Sequence, residues 1–156
     1  MIESVNAWQQ SGNIYLWRYT KPASKSRRGW HFTADTTGCT SLVDLLERMR
    51  AAGAPCHRTL SLGAVTPEIW AVPNFGPPKP DRFEKLRISY APEATELTLT
   101  EGDGRLDLSI GADRAADFAA ALVDVEVGLG DFGIATSSNK HADTWMFWWM
   151  PVPRRN

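Results

Sequence analysis

Residues 144–150, Thr-Trp-Met-Phe-Trp-Trp-Met, constrain the fold more than any other stretch of this chain. A β-strand sends successive side chains to opposite faces. Trp145, Phe147 and Trp149 then share one face, and Met146, Trp148 and Met150 share the other. Neither face is polar. Such a strand either lies between two covering layers or lines a surface that something else must cover.

Other segments fill in the architecture. Residues 14–20 and 30–33 read as strands, with Tyr15, Trp17 and Tyr19 alternating on one face of the first. A helix follows. Ser41 and Asp44 fit a capping box, Leu42, Leu45, Leu46 and Met49 form an apolar stripe, and Gly53 and Pro55 stop it. Residues 58–62 read as a short strand. Five prolines between positions 67 and 80 forbid a continuous element in residues 63–82, although Thr66-Pro67-Glu68 can start one helical turn. Connections of this length are uncommon in compact domains.

Farther on, Leu86, Ile88 and Tyr90 alternate with polar residues, and residues 96–101 and 105–110 form a hairpin through Gly102-Asp103-Gly104. These strands read as a meander with one buried and one wet face. A second helix begins at Asp113, with Phe118, Leu122, Val125 and Leu129 as its stripe and Asp113, Asp117 and Asp124 on its other side. The order is ββαβ, a Pro-rich loop, then βββαββ. It predicts one α+β domain over residues 1–156, a mainly antiparallel sheet of about seven to eight strands with two amphipathic helices on one face.

Composition narrows the function classes. Seventeen Lys and Arg nearly balance eighteen Asp and Glu, for a net charge of −1, so no global field holds nucleic acid or an anionic membrane. No apolar run approaches the roughly 18 residues of a membrane span, and the N-terminal residues lack the pattern of a signal peptide. Cys39 and Cys56 make no disulfide framework, so the expected compartment is a reducing cytoplasm.

The motifs that suggest chemistry have plainer readings. Residues 128–133, Gly-Leu-Gly-Asp-Phe-Gly, spell a dinucleotide fingerprint, but they follow a helix instead of opening one, so no helix N-terminus faces a pyrophosphate. His31, His57, His141, Cys39 and Cys56 lack metal-ligand spacing. Cys39, just ahead of the first helix, is placed where a helix dipole lowers a thiol pKa, with His31 or His57 as a base, or else simply packs at the helix entry. Expected, then, are no catalytic residue, no metal and no cofactor.

What remains is aromatic. Tyr15, Trp17, Arg18, Tyr19, Arg27, Arg28, Trp30, Trp70, Trp145 and Trp149 are the candidate binding residues. Seven tryptophans with no convergent catalytic set point to a non-enzymatic module that docks a protein partner, or a second copy of itself, through an aromatic patch. An immunity- or antitoxin-type inhibitor is one such role. The alternative is a small-molecule or nucleotide site, of an enzyme or a simple binding domain, between the aromatic strands and the 63–82 loop. A third reading uses the basic loop 21–28 as a platform for single-stranded nucleic acid.

Overall fold

The computed structural model describes residues 2–19, 29–71, 78, 83–102, 104–128, 132–135 and 144–148. Helix α1 (Ile2–Ala7) leads into the hairpin β1 (Ile14–Trp17) and β2 (His31–Ala34), then α2 (Thr36–Ala52) and β3 (Cys56–Ser61). A short helix, α3 (Pro67–Trp70), precedes β4 (Lys85–Tyr90), β5 (Thr98–Glu101) and β6 (Arg105–Ile110). Helix α4 (Ala112–Glu126), β7 (Phe132–Ala135) and β8 (Thr144–Phe147) follow.

The chain is α+β, but its strands form two mixed sheets of four in place of one mainly antiparallel sheet. The first runs β1-β2-β8-β7 and the second β3-β4-β6-β5. In each, the outer pairings are antiparallel and the central pair is parallel: β2 beside β8, β4 beside β6. The expected meander is corrected accordingly. The β5–β6 hairpin forms, yet β4 lies against β6 with β5 outside it. Alternation shows which face of a strand is buried, not which strand lies beside it, and both parallel pairs join strands that are not consecutive.

The connectivity repeats. Hairpin β1–β2, helix α2 and the pair β3–β4 form one unit; hairpin β5–β6, helix α4 and the pair β7–β8 form the other. Exchanging the units turns β1-β2-β8-β7 into β5-β6-β4-β3, which is the second sheet read backwards. Each unit thus gives one strand pair to each sheet, and the two long helices pack against each other. The Pro-rich connection lies inside the first unit, between β3 and β4.

Two helix starts also differ from expectation. Asp35 caps α2, its carboxylate accepting from the Gly38 N–H at 2.7 Å, so the helix begins well before Ser41. Thr36, Thr37 and Gly38 have weak helix propensity, and the cap compensates. Gly111, not Asp113, occupies the cap position of α4. Four helices are present among the described residues, not two.

One contiguous core joins the inner faces of both sheets to the buried stripes of α2 and α4. Phe32, Phe118, Trp145 and Phe147 form its aromatic centre, with Phe118 and Trp145 ring centroids 4.6 Å apart. The second sheet contributes Leu60, Leu86, Ile88, Tyr90, Leu106, Leu108 and Ile110 and turns Thr59, Ser89, Asp107 and Ser109 outward. That sheet has the expected wet face. Helix α1 closes one flank: Trp8 donates its indole N–H to the Ser41 carbonyl at 2.8 Å, and Arg58 donates to the carbonyls of Val5 and Trp8 at 2.6 and 2.8 Å.

Candidate functional site

Among the described residues, Trp145 to Trp148 of the last strand are covered on both sides of the first sheet. Trp145 and Phe147 point into the main core, while Met146 and Trp148 point the other way, into a second apolar cluster. That cluster takes Trp17 and Tyr19 from β1 and its exit, and Ile69 from α3, with Tyr15, Val65 and Trp70 packed around them. The segment from Leu62 to Ala71 therefore forms a strap over the outer face of the sheet. Gly63 donates its N–H to the Ile14 carbonyl at 2.9 Å, and Tyr19 donates its hydroxyl to the Trp70 carbonyl at 2.9 Å. Gly63 lies directly on the Tyr15 ring, where a Cβ would collide.

At the centre of this cluster is His31, fully buried. Its ring is nearly parallel to those of Trp17 and Trp148, with centroids 5.8 and 6.0 Å away, and Tyr19 meets it edge-on at 4.7 Å. The Trp148 indole N–H donates to His31 Nδ1 at 2.9 Å. Thr33, next on the same face, donates its hydroxyl to the Trp148 carbonyl at 2.9 Å. Burial pushes the Tyr19 phenol up to about 12, eased by Trp17, whose indole nitrogen lies near it without the geometry of a full hydrogen bond.

The predicted binding residues divide by position. Trp17, Tyr19 and Trp145 are interior. Tyr15, Arg18, Trp30 and Trp70 are half-buried. Arg27, Arg28 and Trp149, together with the rest of the basic loop 21–28, lie outside the described residues. Among the described residues the aromatics do not share one face, because β1, β2 and β8 direct them alternately into the core and beneath the strap.

A smaller, half-exposed cluster forms where the two sheets meet. The Arg18 guanidinium lies 4.5 Å over the Trp30 ring and pairs with Glu101 at the end of β5. Trp30 in turn meets Phe83 edge-to-face at 5.7 Å. Arg18 leaves β1 and Trp30 enters β2, so hairpin pairing brings them together; Phe83 lies on the approach to β4 and Glu101 ends β5 of the other sheet. Phe83 and Glu101 are the residues that sequence reasoning missed. Both sit at strand ends, where alternation carries no information about long-range neighbours.

The catalytic and metal candidates do not converge. Cys39 lies inside α2 and is fully buried, not at an exposed helix entry, and burial, with Glu126 and Asp35 adding to it, pushes its thiol up to about 12. That corrects the reactive-thiol reading: desolvation of the thiolate outweighs the helix dipole. Burial also raises the Cys56 thiol. Cys56 and the exposed His57 are neighbours on β3, facing opposite ways, whereas His31 is in the other sheet; His141 lies outside the described residues. Among the described residues no three His, Cys, Asp or Glu side chains come together to hold a metal.

A groove of about 310 Å³ runs between α4 and β7, lined by Arg114, Asp117, Asp124, Gly133 and Ile134. Arg114 and Asp117 pair across one turn of the helix at 3.6 Å. Among the described residues no helix is long and apolar enough to cross a membrane. No protein family, curated protein or solved structure matches this chain.

Proposed function

We propose that this chain is a small non-enzymatic binding module that docks a protein partner through an aromatic patch and its adjoining charges. An immunity- or antitoxin-type inhibitor would be one such role, and a cytoplasmic setting suits the free thiols. The observation that supports the reading is the Arg18–Trp30–Phe83 cluster. Trp and Arg dominate the energetics of protein interfaces, and a side chain held in place before binding loses less entropy on docking. Here Trp30 is held by the Arg18 cation on its face and the Phe83 ring at its edge. Glu101 anchors the Arg18 head group. Beneath the described part of the 63–82 segment, Ile69 packs with Trp17, Tyr19 and Trp148.

The test is capture from native lysate with the unaltered chain and with Trp30→Ala, each checked for fold by near-UV circular dichroism. A specific partner should be retained by the unaltered chain and lost, by tenfold or more in affinity, with Trp30→Ala. Recovery of the chain alone, with a monomeric scattering profile, would overturn the reading. So would a partner that Trp30→Ala binds equally well.

A further inference from the structure

The internal repeat can be followed residue by residue. The buried stripe of α2, Cys39, Leu42, Leu45, Leu46 and Met49, has the same spacing as Ala115, Phe118, Ala121, Leu122 and Val125 on α4. Aligned in this way, Ser41, Asp44 and Arg48 correspond to Asp117, Ala120 and Asp124. In the strands that follow, Leu60, paired with Leu86, corresponds to Ile134, paired with Trp145, and Thr59 corresponds to Gly133.

In the first unit the seam between this helix and this strand is filled by α1 and the residues after it, which bury Val5 and Trp8. Ser41 accepts the Trp8 indole N–H on its carbonyl at 2.8 Å and the Ser11 N–H on its hydroxyl at 3.0 Å. Arg48 donates to the Ser4 carbonyl at 2.8 Å, and Arg58 donates to those of Val5 and Trp8. The corresponding seam of the second unit is the groove between α4 and β7, of about 310 Å³, lined by Asp117, Ala120, Ala121, Asp124, Gly133 and Ile134. Ala121 stands where Leu45 does, and the shorter side chain leaves room; among the described residues no second segment fills it.

The polarity of this seam is reversed. Asp124 replaces Arg48, so an acceptor stands where the first unit has a donor holding a main-chain carbonyl. Asp117 keeps the acceptor role of Ser41 and adds a full charge. Arg114, also in the lining, is paired with Asp117, whereas Asp124 has no ion pair among the described residues. We propose that the groove seats a short basic segment of a partner protein, which inserts an aromatic side chain as α1 inserts Trp8 and offers Lys or Arg to Asp117 and Asp124. The apolar floor supplies burial, and the carboxylates select the partner by charge. The α1 of a second copy fits poorly, since it brings Glu3 and no basic residue to these carboxylates. None of these residues belongs to the Arg18–Trp30–Phe83 cluster, so the groove stands or falls independently of that surface.

Two synthetic peptides with blocked ends test the groove by NMR titration of the full chain. One has the sequence of residues 2–11; the other carries Glu3→Lys and Ser4→Lys, which makes it basic. The basic peptide should shift amides of α4 and β7, bind more weakly as salt is raised, and lose binding when its own Trp8→Ala change is made. The unaltered, acidic peptide should bind about fivefold more weakly or worse, and Asp124→Lys in the full chain should weaken the basic peptide by a similar factor. Ala120→Trp should block the groove, while Trp30→Ala should leave this binding unchanged. The proposal is overturned if the basic peptide causes no shifts at millimolar concentration, or if the shifts lie away from α4 and β7. Equal binding of the two peptides also overturns it, since the groove would then accept the α1 of a second copy. Should Asp124→Lys fail to fold, the comparison of the two peptides on the unaltered chain decides.

Discussion

Replacing Asp35 by Ala should destabilise the protein far more than its half-exposed position suggests, because one carboxylate ties the start of α2 to the start of β1. It accepts from the Gly38 N–H at 2.7 Å, from the Asn13 backbone N–H at 3.0 Å and from the Asn13 side-chain amide at 2.9 Å. Gly12, at φ 71°, and Gly38 both pass so close to this lock that a Cβ on either would collide with it. Loss of an N-cap of this kind costs about 1 kcal/mol. The two Asn13 bonds, partly replaced by water in the variant, add about 1–2 kcal/mol. A total of about 2–3 kcal/mol corresponds to a fall in Tm of roughly 5–10 °C for a chain of this size. Calorimetry at pH 7 measures it directly. Asp35→Asn caps almost as well and should recover about half of the loss.

The same lock predicts part of the acid response. Burial alone would raise the Asp35 carboxyl, but the bonds from Asn13 and Gly38 outweigh it and hold it below the ordinary carboxylate range. Its contribution to stability is then complete above the unfolded value, about 3.9, and drains away as pH falls through the lower folded value. Asp35→Ala should lack that portion of the acid slope. A Tm for Asp35→Ala within 1 °C of the unaltered chain would refute the reasoning. So would an Asn variant as damaged as the Ala variant, since the cap would then contribute nothing.

Other substitutions probe the core and the thiols. Trp145→Ala should cost about 3–5 kcal/mol in urea unfolding, as expected for an aromatic removed from a packed interior. Trp145→Phe should cost much less, because the buried Trp145 N–H has no hydrogen-bond partner among the described residues and its removal offsets part of the lost volume; equal losses for the two variants would contradict this. Gly111→Ala should destabilise by about 1–3 kcal/mol, since its Cβ would run into the Ala94 carbonyl, whereas Gly53→Ala, at φ 64° in open space, should cost about 1 kcal/mol in the same assay. Native Cys39 should resist alkylation at pH 8 while the half-exposed Cys56 reacts, and the order should vanish in denaturant; faster labelling at Cys39 would show that the thiol is not sealed.

Local chemistry carried much of the fold in the primary structure. The alternation in residues 86–90 and 105–110 specified one buried and one wet face, and Leu42, Leu45, Leu46 and Met49 specified the buried side of α2. The unpolar strand 144–150 required cover on both sides, and for Trp145 to Trp148 it has it. These properties depend on side-chain spacing within one element, which is written directly in the residue order. Helix starts were less legible because Asp35, a strong cap, precedes three weak helix formers.

Pairing was decided only in three dimensions. Nothing local distinguishes a strand that lies beside its sequence neighbour from one that crosses to a distant parallel partner, so the joins of β2 to β8 and β4 to β6, and the division into two sheets, were invisible in the sequence. The same long-range step placed Phe83 and Glu101 beside Trp30 and Arg18, and closed the strap over His31. The sequence by itself determined which faces had to be buried. Tertiary structure chose what buries them, because that choice depends on contacts between residues far apart in the chain, whose energies no single segment contains.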